Sequence, residues 1–126
     1  MDERISQALE MDRVIDITTR GRRTGMDRRI EIWFHNLDGK LYITGPPGAR
    51  DWYANLVANP EFTFHLKKSV KADVPGLARP VTAPDERRPV FVGVFAKLSG
   101  DRDLAKWMEA SPLLAVTLAI DRAVLA

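Results

Sequence analysis

The sequence predicts an α+β domain whose strands pair mostly antiparallel into a barrel-like sheet. Three observations carry that prediction. Short runs rich in β-branched and aromatic residues alternate apolar and polar letters. Brief turn signals of Gly, Pro, Asn and Asp separate most of them. Helical spacing occurs only at the start, in the middle and near the end, so strand and helix do not alternate as a doubly wound parallel sheet requires. At 126 residues the chain can bury one real core, and no linker-like stretch divides it, so a single domain over 1–126 is expected.

The elements follow in order. Residues 3–12 space Ile5, Ala8, Leu9 and Met11 as one face of a short helix that covers an open end of the core. "VIDITT" (14–19) is a strand by its β-branched content. "RIEIWFHN" (29–36) places Ile30, Ile32 and Phe34 on one face and Glu31, Trp33 and His35 on the other. Leu37-Asp38-Gly39-Lys40 then turns the chain back into the strand "LYIT" (41–44). "GPPGARD" (45–51) is a loop, Asp51 is expected to cap a helix through "WYANLVAN", and Asn59-Pro60 stops that helix. A strand covers 61–66 and another lies in "SVKADV" (69–74), with Pro75-Gly76 read as a turn before a weaker strand near 77–82. Ala83-Pro84-Asp85-Glu86 opens a helix to about Lys97. A second helical piece falls in 101–110, and the nearly all-apolar "LLAVTLAI" (113–120) ends the fold as a central strand.

Composition narrows the function classes. The chain has no cysteine, which removes disulfides, thiolate nucleophiles and cysteine zinc sites. The charged start "MDERISQALEMDR" and the lack of a long apolar run predict neither a secretory leader nor a membrane span, so a cytoplasmic location without stable membrane anchoring is expected. The two histidines each fall within a strand and read as outward-facing polar residues. No metal-ligand spacing and no nucleophile elbow is present, so no metal site is expected and hydrolase chemistry has no support.

Charge is concentrated. Residues 20–29 hold Arg20, Arg22, Arg23, Arg28 and Arg29 against Asp27, a local charge of +4, whereas the whole chain carries +2. A cationic loop of this kind suits a small anionic group better than a nucleic-acid backbone, which calls for basic residues spread along a face. Glycines let main-chain N–H groups approach an anion, arginine forks grip phosphate or carboxylate, and a threonine hydroxyl adds a neutral donor. Arg22, Arg23, Thr24, Gly25 and Arg28 are the first candidates for anion contacts. Trp33 either packs against a flat ring or covers a barrel end or dimer partner. Thr44 and Gly45 end a strand where an N–H can meet a ring carbonyl or phosphate. Trp52, Tyr53 and Leu56 read as core anchors, and Asn55 either satisfies buried backbone groups or reaches a ligand through its amide.

Taken together, "ITTRGRRTGMDRRIEIWFHNLDGKLYITG" and "WYANLVANPEFTFHLK" resemble the deazaflavin-dependent nitroreductase and quinone reductase family of small split β-barrels, relatives of the flavin-mononucleotide-binding barrels. That pattern is matched at Thr18, Thr19, Gly21, Arg22, Arg23, Thr24, Gly25 and Arg28, and again at Trp52, Tyr53, Asn55, Leu56, Ala58, Asn59 and Pro60. The resemblance covers about residues 14–68. It implies a split β-barrel of six to seven mostly antiparallel strands with an N-terminal helix and two to three further short helices. It also implies that the arginine loop holds the phosphate and acidic tail of coenzyme F420, or of flavin mononucleotide as the alternative, with the ring in a cleft of the barrel. The implied reaction is hydride transfer to a small electrophile such as a quinone or nitroaromatic, in a homodimer. Glu31 replaces a family proline, the short loop before Trp52 offers Arg50 where relatives supply a lysine, and residues 87–112 lack the family's pocket tyrosines. The altered loop at 45–51 and the missing tyrosines favour the alternative reading, a non-enzymatic carrier of a fatty acid, haem or tetrapyrrole. Nucleic acid is not an expected partner.

Overall fold

The structure, a computed structural model, describes residues 3–125. Its elements run α1 (Glu3–Met11), β1 (Val14–Arg20), β2 (Asp27–Leu37), β3 (Lys40–Thr44), α2 (Asp51–Ala58), β4 (Glu61–Leu66), β5 (Ala72–Pro80), α3 (Pro84–Lys97), α4 (Leu104–Ala110), β6 (Leu113–Leu118), a 3-10 turn at Ile120–Arg122 and β7 (Val124–Leu125). The sheet order is β4-β1-β2-β3-β6-β5-β7, and a further β4–β5 pairing closes six strands into a barrel, every pair antiparallel. The split-barrel α+β expectation holds. Closure leaves the six strands without an open edge, so β6 has neighbours on both sides without being the middle of anything.

The period-two pattern of each strand sorts its side chains into barrel interior and exterior. Inside lie Ile15 and Ile17 of β1, Phe34 of β2, Ile43 of β3, Phe64 of β4, Val74 of β5 and Leu114 of β6, all fully buried. Phe34 and Phe64 meet edge to face with centroids 5.2 Å apart, an arrangement aromatic quadrupoles favour. α1 contributes Ile5, Ala8 and Leu9 to the same core, and α2 contributes Leu56, with Trp52 and Tyr53 partly buried against it. A second apolar layer forms outside the barrel, where Val90, Phe91 and Val94 of α3 and Trp107 of α4 cover Tyr42 and Leu113. Strands β3 and β6 are thus buried on both faces. That explains why 113–118 is almost wholly apolar.

Three local expectations change. The Pro75-Gly76 pair is not a turn: β5 runs through it, with Pro75 opposite Thr63 and Gly76 opposite Phe62. Proline sits with its ring on the exposed side, and glycine is needed because a Cβ there would lie 2.8 Å from the Phe62 ring. Asp51 is the first residue of α2, not its cap; Arg50 occupies the cap position and makes no side-chain capping bond. His35 and His65 point away from the barrel interior but are buried, 7% and 6% exposed, because other groups cover the outer face. Among the described residues, no helix is long and apolar enough to cross a membrane.

Candidate functional site

The arginine-rich segment forms the β1–β2 turn. Arg20 pairs with Asp27 in the ladder, and between them Gly21 N–H donates to the Met26 carbonyl at 2.8 Å while Gly25 N–H donates to the Gly21 carbonyl at 2.9 Å. Gly25 has φ +70, a left-handed conformation that glycine adopts without cost from a Cβ. A Cβ on Gly21 would lie 2.7 Å from Thr24 Oγ1, which itself accepts from Met26 N–H at 3.2 Å. The two glycines are therefore requirements of a tight loop, and Thr24 helps hold it.

α2 braces this loop from beside it. Asn55, 4% exposed, accepts on Oδ1 from Arg22 N–H at 3.1 Å and from Arg22 Nη1 at 2.8 Å, and Asp51 accepts from Arg22 Nη2 at 3.4 Å. Asn59 Nδ2 reaches the Arg20 carbonyl at 3.4 Å. Arg29 donates to Asp16 at 3.0 Å, and Lys67 joins both Asp16 and Glu31, so that arginine belongs to an ion-pair network on the barrel wall. The Asp16 carboxylate is held below the usual range chiefly by the hydrogen bond from Lys67. Arg23 and Arg28 are different. Both are exposed, and neither side chain makes a hydrogen bond or ion pair with a described residue. With Gly21, Arg22, Thr24, Asp51 and Asn55 they line a concavity of about 260 Å³; Gly25 lies at the tip of the loop, outside that lining.

A second hollow, about 230 Å³, lies towards the other end of β2 and is lined by Trp33, His35, Thr44, Gly45, Pro46, Leu98, Arg102 and Trp107. Arg28 and Trp33 are five residues apart on β2, roughly 17 Å at about 3.3 Å per residue. Trp33 is 47% exposed. Thr44 is buried and its hydroxyl donates to the Pro112 carbonyl at 2.6 Å. Arg50 folds back on its own loop, donating to the Ala49 and Pro46 carbonyls at 3.0 Å each, and packs beside Gly45. Gly48 N–H donates to the Ala110 carbonyl at 3.1 Å, which ties this loop to the end of α4. The structure thus gathers Arg22, Arg23, Thr24, Arg28 and Asn55 in one hollow and Trp33, Thr44 and Gly45 in the other, with Arg50 as a brace of the loop between β3 and α2.

His35 is a member of the second hollow that its strand pattern did not single out. Burial, reinforced by the Arg13 and Lys97 charges, lowers its pKa from 6.5 to about 4, so the ring is neutral at pH 7. His65, by contrast, is engaged at both nitrogens, with Thr18 at 2.7 Å and Asp73 at 2.6 Å. Arg87, also buried, donates to the carbonyls of Val81, Trp107, Met108 and Ser111 and anchors α3 to the C-terminal end of α4. Among the described residues, no group of three His, Asp or Glu side chains is placed to hold a metal ion.

Comparison with known proteins agrees with this architecture. A solved structure described as an F420 reductase superimposes with TM-score 0.68 at 20% identity, over 94% of each chain. A conserved hypothetical protein from Mycobacterium tuberculosis gives TM-score 0.73 at 18% identity, covering 98% of this chain and 82% of that one. An FAD and haem binding protein from Mycobacterium smegmatis gives 0.71 at 16%, covering 100% and 71%. At such identities these likenesses establish the fold alone. The family evidence is of another kind, a match of residues 1–118 to the model described as F420H(2)-dependent quinone reductase. A match over so much of the chain, on a closed barrel whose β1–β2 turn carries the arginine-glycine motif, means that this protein belongs to the F420H2-dependent quinone reductase family.

Proposed function

We propose that the protein binds coenzyme F420 with its acidic tail in the arginine hollow and reduces a small acceptor of the quinone or nitroaromatic kind. The observation that carries this reading is the pair of exposed arginines, Arg23 and Arg28, left without acid partners beside a third arginine that Asn55 and Asp51 hold in place. Unpaired guanidinium groups around a concavity are suited to a phosphate and a chain of carboxylates. The loop geometry fits such a tail, since Gly21 keeps the turn closed and Asn55 holds the Arg22 guanidinium in place along the concavity it lines. Arg50 sets the shape of the loop at Gly45 instead of gripping the anion. When bound, the reduced deazaflavin supplies the hydride, and this chain's residues supply position and orientation. A homodimeric assembly belongs to the same reading.

Each charge-assisted contact from Arg23 or Arg28 contributes on the order of 1.5–3 kcal/mol, or roughly a tenfold to hundredfold change in affinity. Titration with oxidised F420, followed by its absorbance, is expected to show that weakening for Arg23→Ala and for Arg28→Ala. Arg29→Gln, whose arginine is committed to Asp16, should bind as the wild type does. Flavin mononucleotide serves as the comparator. Wild-type affinity in both alanine variants, or no binding of F420 by the wild type, overturns the reading.

A further inference from the structure

His35 stands apart from every other charged or titratable side chain in the Trp33 hollow. Arg102 there is committed to the Ser99 and Gly100 carbonyls, and the Thr44 hydroxyl is committed to Pro112. His35 is 93% removed from solvent, yet its ring makes no hydrogen bond to any described residue. Neither ring nitrogen is a sealed, unpartnered atom: the buried side-chain atom left without a partner is Ser111 Oγ. The His35 nitrogens are therefore not fully sealed, and the residue lines the hollow. A buried polar group facing a cavity and lacking a protein partner is a group arranged for something that enters the cavity.

The surroundings specify what enters. Two indoles, Leu98 and Pro46 make most of the wall apolar, which suits a flat unsaturated molecule. At about 230 Å³ the hollow is smaller than the roughly 300–1,000 Å³ of ordinary ligand pockets, so it takes one or two rings and not a ring with a polyol tail. Burial and then the Arg13 and Lys97 charges oppose protonation of the imidazole, and Arg102 is, among the described residues, the one cationic residue that lines the hollow with it. A neutral imidazole has one N–H to donate and one nitrogen to accept.

We propose that His35 is a positioning residue for the electron acceptor: its neutral ring donates a hydrogen bond to the oxygen of a one- or two-ring carbonyl compound seated among Trp33 and Trp107. This deepens the F420-dependent reductase reading, on which it rests for the source of the hydride. It concerns binding and orientation only, and no proton leaves the ring.

The test needs no cofactor. The chain has two histidines, so imidazole carbon–proton NMR signals are few, and His65, tied to Thr18 and Asp73, is an internal reference. Wild-type protein is titrated with 2-methyl-1,4-naphthoquinone and with 2-methylnaphthalene, which has the same shape and no oxygen. His35→Gln assigns the signals and keeps an N–H donor, and His35→Phe removes it. The quinone is expected to move the His35 signals, leave those of His65 in place, and bind about tenfold more tightly than the hydrocarbon, the ratio one hydrogen bond of about 1.4 kcal/mol supports. His35→Gln should retain most of that preference and His35→Phe should lose it. Equal binding of the two compounds, unmoved His35 signals, or full preference in His35→Phe overturns the proposal. A parallel titration with F420 separates the two readings. If F420 does not bind but the quinone still moves His35, the cofactor reading falls and this one stands; if F420 binds and the quinone leaves His35 unmoved, the cofactor reading stands and this one falls.

Discussion

Acidification tests the environment of His35 without any ligand. In the unfolded chain its imidazole titrates near 6.5, and in the folded protein near 4, because burial and the Arg13 and Lys97 charges disfavour the cation. A base whose folded pKa is depressed contributes stability in full above pH 6.5, and that contribution is lost as pH falls towards 4. Integrating between those two values gives a loss of about 2 kcal/mol at pH 5 relative to pH 7, and about 3 kcal/mol once pH is well below 4. The choice of pH 5 matters. Asp16 and Glu86, the carboxylates whose pKa values are lowered, by hydrogen bonds from Lys67 and Arg79, remain ionised there. The assay is urea unfolding at pH 7 and pH 5 for wild type and His35→Gln, compared as a double difference. Wild type should lose about 2 kcal/mol more than the variant between the two values, seen in thermal melts as about 8 °C at about 4 °C per kcal/mol. Parallel loss in the two proteins, or an NMR-titrated His35 pKa near 6.5, would refute the account of a buried, cation-flanked imidazole.

Two further substitutions probe the frame around the site. Asn55→Leu removes the acceptor for the Arg22 main-chain N–H and guanidinium, so a loss of about 1–3 kcal/mol of stability is expected, together with weaker F420 binding as the loop loses its anchor; unchanged loop amide exchange in the variant would contradict that role. Gly76→Ala places a Cβ 2.8 Å from the Phe62 ring inside the barrel, and overpacking of that kind costs about 1–3 kcal/mol, measured by denaturant unfolding; a neutral effect would mean that Phe62 has room to move.

Much of this protein is legible as a string of letters. The positions of β1, β2, β3, β4, α1 and α2 follow from periodicity and turn chemistry, and the two motifs at 18–28 and 52–60 carry the resemblance to the family whose model matches residues 1–118. The same motifs lead one to expect Arg22, Arg23, Arg28 and Asn55 together, and they do line one hollow. Pro75-Gly76 defeats a local reading because a dipeptide that usually breaks a strand serves here as an exposed proline and a packing gap for Phe62. The division of labour among the arginines is also out of reach, since composition counts five positive charges but cannot tell which ones meet Asp16, Asp51 or Asn55 across the fold.

By itself, then, the order of residues determined the strands, the tight cationic turn and the kinship, because each depends on neighbours a few positions apart. Only the tertiary structure decided that, among the described residues of the β1–β2 turn, Arg23 and Arg28 are unpaired cations, and that His35 is a buried, neutral ring without a protein partner. The physical reason is that strand periodicity reports which face a side chain takes, while the covering of that face by Leu98 and Trp107 comes from distant segments brought over it by the packing of α3 and α4.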